Sequence, residues 1–378
     1  LKMGGSSSHE KAPKLVNLSP VELGLLKEKF KAASHEGHLT IRDLEGLLPF
    51  WGSSVKVVFN RLKNRNGAVN ANTLIEIIDL LYGLEDEQEK ALSSLFCEEI
   101  AESLAAISLG ICGEAEADSA PLTEAFRREM GVKWLSRSRV ATLAIQALFS
   151  HLLEKKFQLL PQLNGGSTDI ISRGSMMFLR GFLPVEGRDE WLLLFSSLSH
   201  GSSFSQLMQR VDGSGPVLVV FRSAIGNVFG CFASHGFCSG PKYTGDTRCF
   251  LFTLEPHLIV FEATGFVQNY AYLNAQQETV PNGLGMGGYE STWPFFLSEE
   301  YGSGLSSPHV SSFEKCCLAG EERFGIDKVE VWRVGEAASP DRVQEKSVLD
   351  RDPQARAILE LAGRKMHSDA HREPPQDG

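Results

Sequence analysis

Apolar residues recur at helical spacing from the start of the chain to about residue 160. Ser19, Pro20 and Glu22 form a strong helix start, because serine caps the helix, proline suits its first position and glutamate lies three residues after the cap. We therefore predict a flexible leader over residues 1–18 and an all-helical domain over residues 19–163. The periodic positions that support this domain are Leu23, Leu26, Phe30, Val57, Val58, Leu62, Leu74, Ile77, Ile78, Leu81, Leu92, Leu95, Phe96, Ile100, Leu104, Val140, Leu143, Ala144, Ala147, Leu148 and Leu152.

The pattern changes near residues 164–167, where glycine becomes frequent and short apolar runs replace the helical spacing. Turn-forming pairs such as Asp212-Gly213 and Gly245-Asp246 separate these runs. Regularly spaced short strands are typical of an antiparallel β-sandwich, and a helix is predicted at Ser203–Arg210. The predicted strands are Trp191–Phe195, Val217–Phe221, Asn227–Ala233, Arg248–Thr253, Leu258–Glu262 and Lys328–Val334.

A third segment follows the predicted sandwich. Residues 337–352 are polar and predict a linker, after which Asp352-Pro353 repeats the cap-and-proline start of a short helix over residues 353–363. We expect its apolar face to enter a groove on a partner protein; the alternative is that the helix packs on its own domain. Residues 364–378 are predicted to be disordered. The predicted partner-binding side chains are Ile358, Leu359 and Leu361.

Length and charge narrow the class of protein. The 378 residues correspond to slightly more than two domains at about 150 residues each, and a hydrophobic fraction of 42% fits a folded chain. The formal charge is −10, from 37 basic and 47 acidic residues, so a basic footprint for nucleic acid is absent. Residues 168–336 hold 11 basic and 18 acidic residues, a net charge of −7, which favours a basic partner.

The N-terminal residues contain a candidate lipid site. Met3-Gly4-Gly5-Ser6-Ser7-Ser8 fits the M-G-x-x-x-S pattern of N-myristoylation, with Gly4 as the acyl acceptor where Met3 is the start. The alternative is a flexible Gly/Ser segment without lipid. Because one myristoyl chain binds membranes only marginally, a second contact would be needed for stable recruitment. No apolar run is long enough to span a bilayer.

The seven cysteines contain no CxxC pair and give neither a disulfide framework nor a zinc-site spacing. They are expected to be reduced, buried thiols in a cytosolic protein. Cys316 and Cys317, with His309, are the candidates for a thiol-dependent oxidative-defence enzyme, which is kept as an alternative function. The ten histidines show no paired-ligand spacing, so no metal site is predicted.

Two segments of the helical domain have the layout of calcium-binding helix–loop–helix motifs. In the first, Gly37 takes the turn position, Leu39 the inward apolar position and Asp43 the last ligand position, but Ala32 at the first position has no oxygen ligand. Calcium requires several oxygen ligands and a bidentate carboxylate. We therefore predict degenerate EF-hand-like loops, and a calcium-regulated adaptor is an alternative. The matching positions of the second loop are Leu62, Gly67, Val69 and Thr73.

Other candidate catalytic motifs lack the context that their chemistry needs. Gly283-x-Gly285-x-x-Gly288 has no preceding strand and no following helix, so a glycine-rich loop packed against the sandwich is expected. Ser196, Ser197 and His200 lie close in sequence without a nucleophile elbow. Asp246 is expected to hold turn backbone. The remaining strand carboxylates, expected to point outward or form ion pairs, are Glu262 and Glu330.

Several sequence blocks, in order, resemble a TLDc domain over residues 168–336. The resemblance implies an α+β protein in which a two-sheet antiparallel sandwich is flanked by helices. It also implies direct binding to the vacuolar-type proton ATPase (V-ATPase), a role in oxidative-stress resistance, and no established catalytic activity. The blocks that carry it are Trp191–Ser197, His200–Ser205, Asn227–Ser234, Gly245–Phe252, Tyr270–Asn274, Asn282–Gly288 and Phe324–Trp332.

The order of segments narrows the resemblance further. The predicted myristoyl start, EF-hand-like helical domain, TLDc block and C-terminal helix, in this order, are similar to a TLDc subgroup associated with mTOR and lysosomes. The resemblance implies a non-enzymatic regulator on the cytosolic face of a lysosomal or vacuolar membrane, recruited by protein contacts and the lipid at Gly4. No cofactor, metal or small-molecule substrate is predicted.

Overall fold

The computed structural model describes residues 15–49, 54–95, 139–154, 158–289, 292–308 and 311–337. The predicted leader is therefore described only from residue 15, and the predicted linker only at residue 337. The predicted C-terminal helix over residues 353–363 and the tail over 364–378 lie outside the described residues, as does Gly4.

Two helix–loop–helix units open the described chain. Helices α1 (Pro20–Ala33) and α2 (Ile41–Leu47) form the first unit, and α3 (Ser54–Leu62) and α4 (Ala71–Leu81) form the second. The loops of the two units contain the short strands β1 (His38–Leu39) and β2 (Val69–Asn70), which pair with each other. The predicted cap of α1 is confirmed: the Ser19 side chain accepts from the Glu22 N–H, and the Glu22 carboxylate accepts from the Ser19 N–H at 2.7 Å. Helices α5 (Glu85–Leu95) and α6 (Arg139–Ser150) follow.

The second half of the chain is built on a large sheet with a few short helices. Helix α7 (Arg173–Phe182) precedes a 3₁₀ turn at Val185–Gly187, and α8 (Ser197–His200) and α9 (Phe204–Val211) lie between strands. The predicted helix at Ser203–Arg210 is confirmed as α9, whose N-cap is Ser203. The strands are β3 (Gln162–Asn164), β4 (Glu190–Ser196), β5 (Val217–Ser223), β6 (Val228–Ala233), β7 (Phe250–Glu255), β8 (Ile259–Glu262), β9 (Ala271–Asn274), β10 (Gly283–Met286), β11 (Phe295–Ser298), β12 (Ser303–Leu305) and β13 (Arg323–Val334).

Strand β13 belongs to two sheets. Its first residues pair with β12, which continues the order β11-β10-β9, and its later residues pair with β5 and β4. Beyond β5 the order continues β6-β7-β8, and every strand pair in this region is antiparallel except β3–β4. A register shift between Ile326 and Lys328 marks the change from one sheet to the other. The predicted α+β class with an antiparallel sandwich is confirmed.

Alternate side chains of β5 enter two different cores. Val219 and Phe221 pack between the two sheets with residues such as Phe295 of β11. Val220 faces the other way, into a core that contains Trp332 and the apolar residues of the helical part. Because both faces of this strand are buried, it is apolar at consecutive positions instead of alternating with polar residues. The helical part and the sheet thus share one continuous hydrophobic core.

The glycine-rich segment at 283–288 differs from the prediction. Residues 283–286 form strand β10, paired with β9 and β11, and not a loop. A Cβ atom at Gly283 would overlap the carbonyl oxygen of Leu297, and one at Gly285 would lie 2.7 Å from the Phe296 ring. Glycine is therefore present because neighbouring groups approach this strand closely. The sequence pattern does not predict strand β10, since glycine has low intrinsic strand propensity.

Candidate functional site

The two helix–loop–helix loops are joined by backbone pairing and closed by side chains. Leu39 pairs with Val69 in a short antiparallel ladder. The Asp43 carboxylate accepts from the Thr40 N–H and hydroxyl, each at 2.7 Å, and these hydrogen bonds hold the pKa of Asp43 below its usual value. The side chain expected at the last ligand position is therefore engaged in capping α2.

An amide oxygen holds the second loop. The Asn64 side chain accepts from the N–H groups of Asn66 at 2.9 Å and Ala68 at 3.2 Å, and Gly67 adopts φ +74°. Asparagine side chains commonly stabilise such turns in this way. Among the residues that the structure describes, no three His, Cys, Asp or Glu side chains come together as a metal-ligand group.

The side chains of the Ser196–His200 segment make contacts that stabilise the fold. His200 Nδ1 accepts from the Ser196 N–H at 3.0 Å, and its ring stacks on Phe195 with centroids 5.8 Å apart. The Ser197 hydroxyl accepts from the Val329 N–H at 3.0 Å, which ties α8 to β13. No serine-to-imidazole hydrogen bond is seen in this described segment, so the structure does not assemble a nucleophile and base here.

The adjacent cysteines have opposite environments. Cys316 is buried, and burial raises the pKa of its thiol to about 12, whereas Cys317 is exposed. The expected burial is therefore confirmed for Cys316 and wrong for Cys317. The thiolate is the reactive form of cysteine. Cys316 is therefore protonated and unreactive at neutral pH. His309, the expected partner of these thiols, lies outside the described residues.

The Glu330 carboxylate neither points outward nor forms an ion pair, so that expectation was wrong. Its side chain is 2% exposed and accepts from the Thr168 hydroxyl at 2.7 Å, the Asp169 N–H at 2.8 Å and the Trp332 indole N–H at 3.0 Å. These donors come from the segment before α7 and from β13 itself. Glu330 thereby fastens the chain entering α7 to the middle of the sheet.

Asp246 holds turn backbone, as predicted. Its carboxylate accepts from the Arg248 N–H at 3.0 Å and from the Arg248 guanidinium at 2.8 and 2.9 Å. Desolvation pulls the pKa of Asp246 upward, but the hydrogen bonds from Arg248 outweigh it and lower the pKa. The hydroxyl of Ser234 accepts from the Asp246 N–H at 3.2 Å and contacts the Cys249 sulfur at 3.2 Å.

A cleft of about 410 Å³ lies beside this turn. Phe182 at the end of α7 forms an apolar wall with the next two residues, Leu183 and Pro184, and residues 247–250 and 262–263 line the rest of the cleft. Arg188 and Arg248 contribute positive charge. Sequence reasoning missed the cleft because its lining comes from separate segments that only the fold brings together.

The structure does not describe the predicted lipidation and partner-binding residues. Gly4, Ile358, Leu359 and Leu361 lie outside the described residues and stay predictions. Within the described part of the chain, none of the helices combines the length and the hydropathy that a bilayer crossing requires.

Comparison with known proteins defines the class of the sheet-rich part. Residues 165–335 match the family model of the TLDc domain. The chain therefore contains a TLDc domain, and the resemblance read from its sequence blocks is confirmed.

Individual relatives show which TLDc proteins this chain is similar to. The chain is 42% identical over 206 residues to MTOR-associated protein MEAK7 of Gallus gallus, covering 54% of this chain and 44% of the relative. It is 40% identical over 215 residues to the Homo sapiens protein of that name, covering 56% and 47%. Nuclear receptor coactivator 7 of Homo sapiens is 32% identical over 143 residues, covering 38% and 14%. The chain thus matches about half the length of the MEAK7 relatives.

Proposed function

We propose that this protein is a non-enzymatic regulator in mTOR-linked signalling that binds the V-ATPase on the cytosolic face of a lysosomal or vacuolar membrane. The observation that carries the proposal is the TLDc domain, together with relatives named MTOR-associated protein at up to 42% identity. Oxidative-stress resistance is a further proposed consequence of this role. Recruitment would use the lipid at Gly4 and a second contact through Ile358, Leu359 and Leu361.

The engagement of the candidate catalytic groups supports a binding role. His200 and Ser197 accept backbone hydrogen bonds, and the Cys316 thiol is buried with a raised pKa. Asp43 caps a helix, which argues against a calcium-regulated adaptor. A function based on surface recognition needs none of these groups to react.

The charge of the domain supports a basic partner surface. Residues 168–336 have a net charge of −7, and their exposed acidic side chains include Glu278, Glu299 and Glu300. Complementary charge raises the rate of association more than the final affinity. We therefore expect the association rate to fall as salt increases.

Affinity capture tests the proposal. The tagged full chain is cross-linked in cells, captured and analysed by mass spectrometry, with an acidic protein of similar size as control. V-ATPase subunits are expected to be enriched with the full chain only. Equal recovery of these subunits with folded bait and control would overturn the proposal.

Two further measurements test its recruitment and signalling parts. Gly4→Ala is expected to move the protein from the membrane fraction to the soluble fraction, whereas Gly24→Ala, in α1, is not. Depletion of the protein is expected to lower phosphorylation of mTOR substrates, and re-expression to restore it. If Gly4→Ala stays in the membrane fraction, the recruitment part of the proposal is overturned. If depletion leaves phosphorylation of mTOR substrates unchanged, the signalling part is overturned.

A further inference from the structure

Phe266 is the most exposed large apolar side chain among the described residues. Its exposed fraction is 89%, although phenylalanine is usually buried. It lies in the loop that follows edge strand β8. An aromatic ring with this exposure gains much when another surface covers it, since burial energy scales with the apolar area removed from water.

Hydrogen bonds fix the loop that presents this ring. The Thr264 N–H donates to the Ser312 carbonyl at 3.0 Å, and the Thr264 hydroxyl donates to the Ser311 carbonyl at 2.5 Å. The Phe266 N–H donates to the Thr264 hydroxyl at 3.4 Å, with Gly265 at φ +76°. A loop held in this way loses little further conformational freedom when it binds.

A second exposed aromatic residue is attached to the same loop. The Asn269 side chain donates to the Gly288 carbonyl at 2.8 Å, and Tyr243 donates to that carbonyl at 2.9 Å. Tyr289, the next residue, is 64% exposed and exchanges 3.0 Å backbone hydrogen bonds with Thr292. We call Phe266 and Tyr289, on these two linked loops, the aromatic edge.

Acidic groups lie at the start of the loop that carries Phe266. The Glu314 N–H donates to the Glu262 carbonyl at 3.0 Å, and the Glu262 N–H donates to the Glu314 carboxylate at 3.2 Å. Both side chains are exposed, and Lys315 is the adjacent exposed cation. A complementary surface would have an apolar pocket with lysine or arginine at its rim.

We propose that Phe266 is the anchor of a protein-docking surface and inserts into an apolar, basic-rimmed pocket of the partner, with Tyr289 on the linked loop as a second contact. Aromatic anchors at the centre of an interface typically dominate its affinity. The inference deepens the proposed function and rests on it, because the partner tested is the V-ATPase. It assigns the contact to the loop after β8.

Titration with purified V-ATPase tests the anchor, using the full chain. Phe266→Ala is expected to weaken binding at least tenfold, mainly through faster dissociation, and Phe266→Leu to retain most affinity. Ile225→Ala is the matched control, since Ile225 is 61% exposed in the β5–β6 turn, and its binding is expected to change less than twofold. Thermal unfolding of each variant checks that the fold is intact.

The outcomes separate the two proposals. Equal binding by wild type and Phe266→Ala overturns the anchor and leaves the proposed function standing. No binding by wild type overturns both. Two further readouts use phosphatidylcholine/phosphatidylserine vesicles and sedimentation: loss of vesicle binding or of self-association in Phe266→Ala, with V-ATPase binding unchanged, assigns the ring to lipid or to a second copy and overturns the inference.

Discussion

The buried carboxylate of Glu330 should contribute strongly to the attachment of the segment before α7 to the sheet. Replacing it with glutamine keeps the size of the side chain and removes its charge. The wild-type oxygens accept three hydrogen bonds, one at Oε1 from the Asp169 N–H and two at Oε2 from Thr168 and Trp332. Every partner is a donor, so an amide cannot satisfy all of them.

The better amide orientation leaves its oxygen at the Oε2 position and its NH₂ facing the Asp169 N–H. One charge-assisted hydrogen bond, each worth about 1.5–3 kcal/mol, is then lost, and the other two become weaker neutral bonds. Removing a buried charge offsets part of this loss, because the desolvation penalty of the carboxylate disappears. We expect Glu330→Gln to lower the free energy of unfolding by about 2 kcal/mol.

Urea unfolding followed by tryptophan fluorescence measures this change, since Trp191 and Trp332 are both buried. Glu278→Gln, at an exposed loop position, is the matched control and should alter stability by less than about 0.5 kcal/mol. If Glu330→Gln unfolds at the wild-type midpoint with an unchanged slope, the three-donor account of this carboxylate is refuted.

The remaining predictions concern packing, reactivity and capping. Gly230→Ala should destabilise the protein by about 3 kcal/mol in urea unfolding, because the new Cβ overlaps the Val219 carbonyl of β5. Gly24→Ala, where α1 leaves open space for a Cβ, is the control and should stabilise the protein by about 0.5–1 kcal/mol. Iodoacetamide at pH 8 should modify the exposed Cys317 and leave Cys316 unmodified. The buried Cys316 thiol has a pKa of about 12, so almost none of it is thiolate at pH 8. Equal labelling of the two cysteines in the native protein, measured by mass spectrometry, would contradict this prediction. Asp79→Asn should weaken the hydrogen bonds that the Asp79 carboxylate accepts from the backbone N–H groups of Val16, Asn17 and Leu18, just before α1. We expect the free energy of unfolding to fall by about 1–2 kcal/mol. Unchanged hydrogen exchange at those three amides would count against this prediction.

Much of the fold could be predicted from local patterns in the sequence. The cap at Ser19 is confirmed because all three of its residues lie within one turn and need no distant partner. The consecutive apolar residues of β5 likewise predict a strand, although only the structure shows that alternate residues enter two cores. Such features depend on the chain's own periodicity, which a single sequence displays.

Features made by distant residues were beyond local reasoning. Gly283 is in a strand because Leu297 lies against it, and this contact is set by the register of two strands. Glu330 is buried because Thr168 and Asp169 supply donors from more than 160 residues away. The exposure of Phe266 is equally invisible in sequence, since its residue type alone predicts burial.

The shared core also limits how the helical part can act. Sensor EF-hand pairs work by opening, which exposes an apolar groove to a partner. Here Leu26, Phe30 and Ile78 are buried in the same hydrophobic cluster as Trp332 of β13. Opening the helix pairs would expose apolar residues of this shared cluster to water, which is unfavourable. Recognition is therefore better placed on surface loops such as that of Phe266, where binding leaves the core intact.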